Sequence, residues 1–408
     1  MAEKQTESGA GVADKVRHHV AGKVVRKNLL RVMPWGDLPR PEPGAPGSRE
    51  NPSASGILLV DKPADVTSHD VVGAVRRLAG TRKVGHAGTL DPMATGLLTI
   101  GVGAATKLLT YMSGHDKTYL ATIRFGAGTT TEDAHGELIK DSVGLRPDFS
   151  LQQLDEAMAG LTGEIMQRPS SVSAIKIDGE RAYDRVRRGE SIELPERAVT
   201  VYSFVRTSEP RADYFYVMGR PISPVVDVDV RVSCSAGTYI RALARDLGAV
   251  LGMSAHLTML RRVQVGALTI EQASSVTELA GCVRVGQELP ILPLVRAAES
   301  VLPASLRVSD EQAVALRHGQ FIEVAERPQA FPVALIYEDP SGVEEITLTD
   351  ESGITGKSGI TEELDGTERL TGKSAQLVAI GKKRGKLIAP AVVFPLQLVP
   401  LARSGESA

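Results

Sequence analysis

The spacing of apolar and polar positions changes repeatedly along this chain, and each change marks an element. Asp227–Cys234 alternates strictly, with Val228, Val230, Val232 and Cys234 on one side and Asp227, Asp229, Arg231 and Ser233 on the other. Successive side chains of an extended backbone point to opposite faces, so this segment predicts a half-buried strand. Lys117–Phe125 alternates in the same way, and the short apolar runs Ile57–Val60 and Leu97–Val102 predict buried strands. Elsewhere the period lengthens. Val71, Val72, Val75 and Leu78 share one face of a helix that Thr67 or Ser68 can cap and Gly80 can end. Ala104–Met112, Leu151–Ala159 (stopped by Gly160) and Thr238–Leu251 read as further helices. Strands and helices mix without strict alternation, which predicts an α+β core on a mixed sheet.

The two ends differ from this core. Residues 1–55 read as a tail, in which Lys15–Arg31 carries six basic residues and no acid. That segment is either solvated or an RNA contact. Pro39–Gly56 is rich in Pro, Gly and Ser and predicts a disordered linker. A folded core is expected over 56–300. From 301 to 400 a helix at Val308–His318 precedes short β-rich runs at Val333–Tyr337, Glu345–Leu348, Gln376–Ile380 and Ala391–Phe394. These predict a small, separate, barrel-like domain. A low-complexity stretch at 341–372 interrupts it, and within it Glu344–Arg369 has eight acids against two bases.

Composition narrows the chemistry. A hydrophobic content of 42% over 408 residues supports a sizeable core. Cys234 and Cys282 stand far apart, which predicts neither a disulfide framework nor a structural zinc, and a reducing, cytoplasmic setting. No apolar run reaches membrane-spanning length, and the polar start predicts no secretory leader. With a net charge of −2, a polyanionic partner would have to be met by local basic patches. Two GKS triplets, Gly356–Ser358 and Gly372–Ser374, are not phosphate loops, because Glu351 and Thr367 stand where the first glycine is needed. Gly101-Val102-Gly103 lacks the third glycine of a dinucleotide site. No zincin, EF-hand or serine-hydrolase pattern is present. The expectation is chemistry with no cofactor and no metal.

Gly85–Leu98, GHAGTLDPMATGLL, sets a lone carboxylate, Asp91, among small residues that let backbone approach a ligand closely. Asp91-Pro92 reads equally well as a helix start, with Asp91 as the cap and Pro92 in the first turn. Four further segments accompany this motif: GILLVDKPADVTSHDVV at Gly56–Val72, KTYLATIRFG at Lys117–Gly126, CSAGTYIRALARDLG at Cys234–Gly248 and HLTMLRR at His256–Arg262. In order and spacing the five resemble the TruB-type tRNA pseudouridine synthases. The resemblance runs from about Gly56 to Gly266. It resumes weakly in SDEQAVALRHGQ and LVAIGKKRGKLIAPAVVF, which look like that family's C-terminal PUA-like RNA-binding domain.

The resemblance implies isomerisation of uridine to pseudouridine at position 55 in the T-loop of tRNA, with no redox partner or energy donor. It implies that residues 56–300 form the catalytic domain and that Asp91 is the catalytic aspartate, kept ionised by Arg241. On residues alone, Arg241 could equally be a surface arginine in the first turn of a helix. A cation is poorly placed at the positive end of a helix, which favours a carboxylate partner. The resemblance further implies that Tyr119 stacks on an extruded base and that His86 fills the place this base leaves. Leu260 would wall the pocket, Tyr239 would border the substrate, and Lys62 would be structural or touch a phosphate. Without the resemblance, Tyr119 and Leu260 are equally core positions and His86 a turn histidine. Leu161–Leu194 would be a thumb-like insertion that grips RNA through Arg168, Lys176, Arg181 and Arg185, although interleaved acids also fit a solvated face. Lys382, Lys383, Arg384 and Lys386 form a tighter basic patch suited to phosphates. The implied partner is the tRNA T-arm, bound by a monomer that uses no guide RNA and no membrane. GTTTEDAHG, shortly after Gly126, departs from the family pattern, so Thr130 and His135 receive no role. A guide-RNA-dependent synthase and an RNA-folding chaperone are rival readings. A glycosidase would need a second carboxylate, and none is evident in these motifs.

Overall fold

The computed structural model describes residues 33–48, 51, 53–144, 146–170, 194–338 and 375–394, and the backbone of 176–177 and 180–181. Met1–Gly36 and Asp37–Ala408 form two units; the fold below belongs to the second. In chain order its principal strands are β1 (Gly56–Lys62), β2 (Val84–Ala87), β3 (Thr95–Val102), β4 (Lys117–Phe125), β5 (Gly163–Gln167), β6 (Arg197–Arg206), β7 (Arg211–Val217), β8 (Arg220–Cys234) and β9 (Ala255–Val265). Across one large sheet they run β1–β3–β9–β4–β8–β6–β5, with β2 beside β3 and β7 folded back on β8 as a hairpin. β3 and β9 are parallel, and the other neighbours on this path are antiparallel. The sheet is therefore mixed and the core α+β, as expected. β8 buries Val228, Val230, Val232 and Cys234, the side its alternation assigns inward. β4 lies at the centre of the sheet between β9 and β8, and residues on both of its faces, Tyr119 among them, are buried.

The helices follow local rules. α1 (Ser68–Leu78) begins at Thr67, whose hydroxyl accepts from Asp70 N at 3.0 Å while the Asp70 carboxylate accepts from Thr67 N at 2.7 Å. This reciprocal cap fixes the helix start. α2 (Leu151–Gly160) has the same device at Ser150 with Gln153. α3 (Ile240–Val250) packs Ala242, Leu243 and Leu247 inward against β9. The segment expected as one helix over Ala104–Met112 is instead a 3-10 turn, Gly103–Lys107, followed by a single α turn, Leu109–Met112.

Two expectations about the ends are corrected. Asp37–Ser48, part of the predicted linker, is docked on the core. Arg77 Nε donates to Leu38 O at 2.5 Å, and Arg284 Nη2 donates to Asp37 O at 3.1 Å. Gly80 turns at φ +60°, and a Cβ there would meet Gly47 O at 1.9 Å, so the strap and the helix end share one close contact. The C-terminal strands are not separate either. Among the described residues β10 (Ala304–Val308), β11 (Val333–Glu338), β12 (Ala375–Arg384) and β13 (Leu387–Val393) form one sheet in that order. Ala334, Ile336, Leu377, Ile380 and Phe394 from it join one buried cluster with Ile57, Leu97 and Leu108 of the core. Ala297, Ala298 and Val301 of α4 (Leu294–Val301) lie in the same cluster. Lys107 crosses the seam: its Nζ donates to Val393 O at 2.5 Å and lies 5.4 Å from the Phe394 ring centre. Lys15–Arg31, Glu345–Leu348 and the 341–372 insertion lie outside the described residues.

Candidate active site

Asp91 stands in a tight turn that leads into β3, with Ala94 N donating to Asp91 O at 3.1 Å. No helix starts here, so the capping alternative is set aside. The turn is held from below instead. The Pro92 carbonyl accepts from Lys62 Nζ at 3.1 Å and from Asp65 N at 2.8 Å. Ser68 Oγ, at the start of α1, accepts from Leu90 N at 2.9 Å. The glycines of the motif serve packing. Gly88 and Gly96 adopt φ of +70° and +99°, and a Cβ on Gly96 would meet Arg262 O at 2.2 Å. Only a residue without a side chain fits there.

Arg241, in the first turn of α3, reaches Asp91 through two nitrogens. Nε lies 2.9 Å from Oδ2, and Nη2 donates to Oδ1 at 3.2 Å. Its third nitrogen, Nη1, donates to Thr131 O at 2.8 Å and lies 3.5 Å from Asp133 Oδ2. The Arg241 side chain is 4% exposed and that of Asp91 36%. Taking a guanidinium out of water costs several kcal/mol unless its donors are matched, and here two carboxylates and a carbonyl match them. The surface-arginine alternative is corrected by this burial. The result is a carboxylate open to solvent on one side and bound through both oxygens by a guanidinium on the other.

The other expected residues lie on β4, β9, β2, β1 and at the start of α3. Tyr119 on β4 is 7% exposed, and burial raises its phenol above the ordinary value while the nearby Arg262 guanidinium opposes that rise. Leu260 on β9 is buried. Burial also lowers the His86 imidazole below its ordinary value, with smaller contributions from Arg262 and His69. His86 Nδ1 is buried without a hydrogen-bond partner among the described residues. Tyr239 caps α3, and its backbone is bracketed by the Gln167 amide, with Tyr239 N donating to Oε1 at 2.8 Å and Nε2 donating to Tyr239 O at 3.1 Å. Lys62 is corrected as a phosphate contact. It is fully buried, and its ammonium donates to the carbonyls of Pro63, Val66 and Pro92 at 2.9, 2.7 and 3.1 Å. Burial pushes it down to about 8, against the attraction of Asp91.

The RNA-gripping set is spread out. Arg168 is exposed and lies 3.5 Å from Glu196. Lys176 and Arg181 sit on a two-stranded ribbon, Lys176–Ile177 against Glu180–Arg181, and Arg185 lies outside the described residues. Lys382, Lys383, Arg384 and Lys386 are all exposed at the β12–β13 turn, and Arg327 Nη2 reaches the Gly385 carbonyl there at 3.5 Å. Sequence reasoning passed over Thr131, Asp133 and Arg262. Thr131 and Asp133 belong to an aperiodic loop, and only the fold brings them to Arg241. Among the described residues no cluster of His, Cys, Asp or Glu could hold a metal ion.

A buried arginine clamping a half-open aspartate, on a mixed sheet, defines an enzyme-like site without a nucleophile triad. Comparison with known proteins places it. The model of the TruB family pseudouridylate synthase N-terminal domain matches residues 76–240, and that of the tRNA pseudouridylate synthase B C-terminal domain matches residues 241–302. The tRNA pseudouridine synthase B of Arthrobacter sp. (strain FB24) is 51% identical over 269 residues, which are 66% of this chain and 82% of that protein. Its namesake from Leifsonia xyli subsp. xyli is 49% identical over 291 residues, 71% of this chain and 90% of that one. Among solved structures, a chain from an H/ACA RNP bound to a substrate RNA containing 2′-deoxyuridine superposes with a TM-score of 0.52 at 22% identity, covering 84% of this chain and 85% of that one. That likeness is one of fold. The chain belongs to the TruB family of pseudouridylate synthases.

Proposed function

We propose that this enzyme isomerises uridine 55 to pseudouridine in the T-loop of tRNA, as a cytoplasmic monomer that binds the T-arm without a guide RNA. The observation that carries this reading is the Asp91–Arg241 pair, a carboxylate 2.9 and 3.2 Å from a buried guanidinium with 36% of its side chain still open. In the isomerisation the C1′–N1 bond breaks, the uracil turns, a C1′–C5 bond forms, and the proton from C5 is balanced by one gained at N1. Substrate and product have the same atoms, so no co-reactant enters. An ionised Asp91 can open the sequence by attack on C1′, by attack on C6, or by removing the C2′ proton, and all three require the carboxylate form. The uridine must leave its stack to reach Asp91, at a cost of a few kcal/mol. Stacking on Tyr119 offsets roughly 1–3 kcal/mol of this. His86, with its buried and unpartnered Nδ1, is suited to take the vacated place in the loop. Leu260 and Tyr239 border the base. Arg168, Lys176, Arg181 and Arg185, together with the PUA-like segment's Lys382, Lys383, Arg384 and Lys386, meet phosphates and set position more than sequence.

The test is direct. Pure protein is incubated with an unmodified tRNA transcript and with the isolated T-arm, and pseudouridine is mapped base by base. One new pseudouridine at position 55 in both RNAs is the expected result. No product, product elsewhere, or a requirement for added RNA would refute the reading.

A further inference from the structure

α3 begins differently from other helices of the molecule. α1, α2 and the helices Val276–Arg284 and Asp310–Arg317 each start on a Ser or Thr whose backbone N–H is met by the side chain three residues further on. In α2 this is Ser150 N donating to Gln153 Oε1 at 2.8 Å. α3 has no such local pair. Tyr239 stands at its cap position without a capping bond from its side chain, and Ala242, three residues on, offers no acceptor. The acceptor comes instead from Gln167, 72 residues earlier at the end of β5. Tyr239 N donates to its Oε1 at 2.8 Å, and its Nε2 donates to Tyr239 O at 3.1 Å. A primary amide presents an acceptor and a donor side by side, and here the two bonds hold both peptide groups that flank the Tyr239 Cα. The Gln167 side chain is buried, at 1% exposure. The residues that follow it are stitched to the same helix: Arg245 Nη2 donates to Arg168 O at 2.8 Å, and Arg241 Nη1 donates to Ser170 Oγ at 3.4 Å.

We propose that Gln167 is a positioning residue for the reaction: its amide fixes the first turn of α3, so that Arg241 meets both oxygens of Asp91. The inference rests on the uridine-isomerase reading above. The cap position of α3 is taken by Tyr239, which borders the substrate, and Arg241 follows two residues later, so the cap is supplied from another strand. Nε and Nη2 of Arg241 lie 2.9 and 3.2 Å from the two carboxylate oxygens, and both distances depend on how the first turn is rotated about the helix axis. Without the Gln167 amide the Tyr239 peptides are released and that turn frays. A misplacement of about 1 Å at a reacting group costs on the order of a hundredfold in rate, so a smaller shift at Arg241 is enough to be read kinetically.

The experiment is a double-mutant cycle of Gln167→Met with Arg241→Lys, read as single-turnover rate at saturating T-arm RNA and, separately, as RNA dissociation constant. Methionine keeps the length of the side chain and removes both polar atoms. The expected result is a fall of roughly tenfold in the rate for Gln167→Met, with binding held within about threefold. In the Arg241→Lys background the same substitution should change the rate by less than about twofold, because the two-point contact it acts through is gone. Gln153→Met removes the matching bond from α2 and controls for a lost cap as such; its folded protein should keep the wild-type rate. A Gln167→Met rate within about twofold of wild type, a factor above about twofold in the Arg241→Lys background, or an effect confined to binding would overturn the proposal. So would a Gln153→Met rate that falls as far. If Gln167→Met does not fold, Gln167→Asn, whose amide is one methylene too short to bracket Tyr239, takes its place with the same expectations. Failure of both to fold would mark a purely structural role and overturn the proposal. A wild-type protein that forms no pseudouridine would instead refute the functional reading, so the two failures are distinguishable.

Discussion

Arg241→Lys isolates geometry from charge at the centre of the site. The arginine spreads its contacts over three nitrogens: 2.9 and 3.2 Å to the two Asp91 oxygens and 2.8 Å to the Thr131 carbonyl. A lysine keeps the positive charge on a single nitrogen. It can sit beside Asp91 or beside Thr131, and it cannot hold both carboxylate oxygens in one plane. At least one charge-assisted hydrogen bond is lost, about 1.5–3 kcal/mol. If that loss falls on the transition state, the rate drops about 10- to 150-fold. Arg241 is 4% exposed and cannot grip RNA, so binding should stay within about threefold of wild type. Single-turnover pseudouridine formation at saturating T-arm RNA, alongside filter binding, measures both quantities. A rate within twofold of wild type would show that the bidentate contact does not matter and would remove Arg241 from the mechanism.

Three further predictions follow from the same contacts. Asp133→Asn removes the second carboxylate on Arg241, whose Oδ1 also accepts from Thr131 Oγ1 at 2.5 Å and from His135 N at 3.0 Å; a loss of about 1–2 kcal/mol lowers the rate about 5- to 30-fold without weakening RNA binding, and an unchanged rate in the same assay contradicts it. Gly96→Ala drives a Cβ into Arg262 O at 2.2 Å from a φ of +99°, so urea unfolding should show a loss of about 2–4 kcal/mol, and a stability within 0.5 kcal/mol of wild type would argue against the packing. Lys62 and Lys117 are each lowered by burial from the ordinary 10.5 to about 8. Between those values the unfolded chain holds protons that the folded chain has released, so both lysines make stability rise with pH from about 8 to about 10.5 and contribute no slope below that window. Lys117→Met should flatten the rise in urea midpoint, and equal slopes for variant and wild type would contradict the assignment.

Much of this architecture was legible where local rules act alone. The Thr67–Asp70 cap and the alternation of Asp227–Cys234 are written in neighbouring residues, and both appear where the pattern places them. Asp91-Pro92 misled as a helix start because the competing contacts come from Lys62 and Asp65, far back in the chain. The strap at Asp37–Ser48 looked like a linker by composition, yet Arg77 and Arg284 hold its carbonyls and Gly80 makes room for it. The Asp91–Arg241 pair joins residues 150 apart, and the resemblance to a family rather than any periodicity brought them together. Asp133 and Arg262 escaped notice for a related reason. One lies in a loop with no period, and the other looks like an ordinary polar position of a strand whose burial depends on β3 and β4 packing beside it. The β7–β8 hairpin, with Tyr214 and Tyr216 exposed, also gave no clear turn signal.

The account stands on one carboxylate, and Asp91→Asn tests it with the least disturbance, since the amide has nearly the same shape and cannot act as a carboxylate. Pseudouridine at tRNA position 55 should fall below detection for the variant while the tRNA dissociation constant stays near that of wild type. Pseudouridine formed by the variant at a rate comparable to wild type would contradict the central claim.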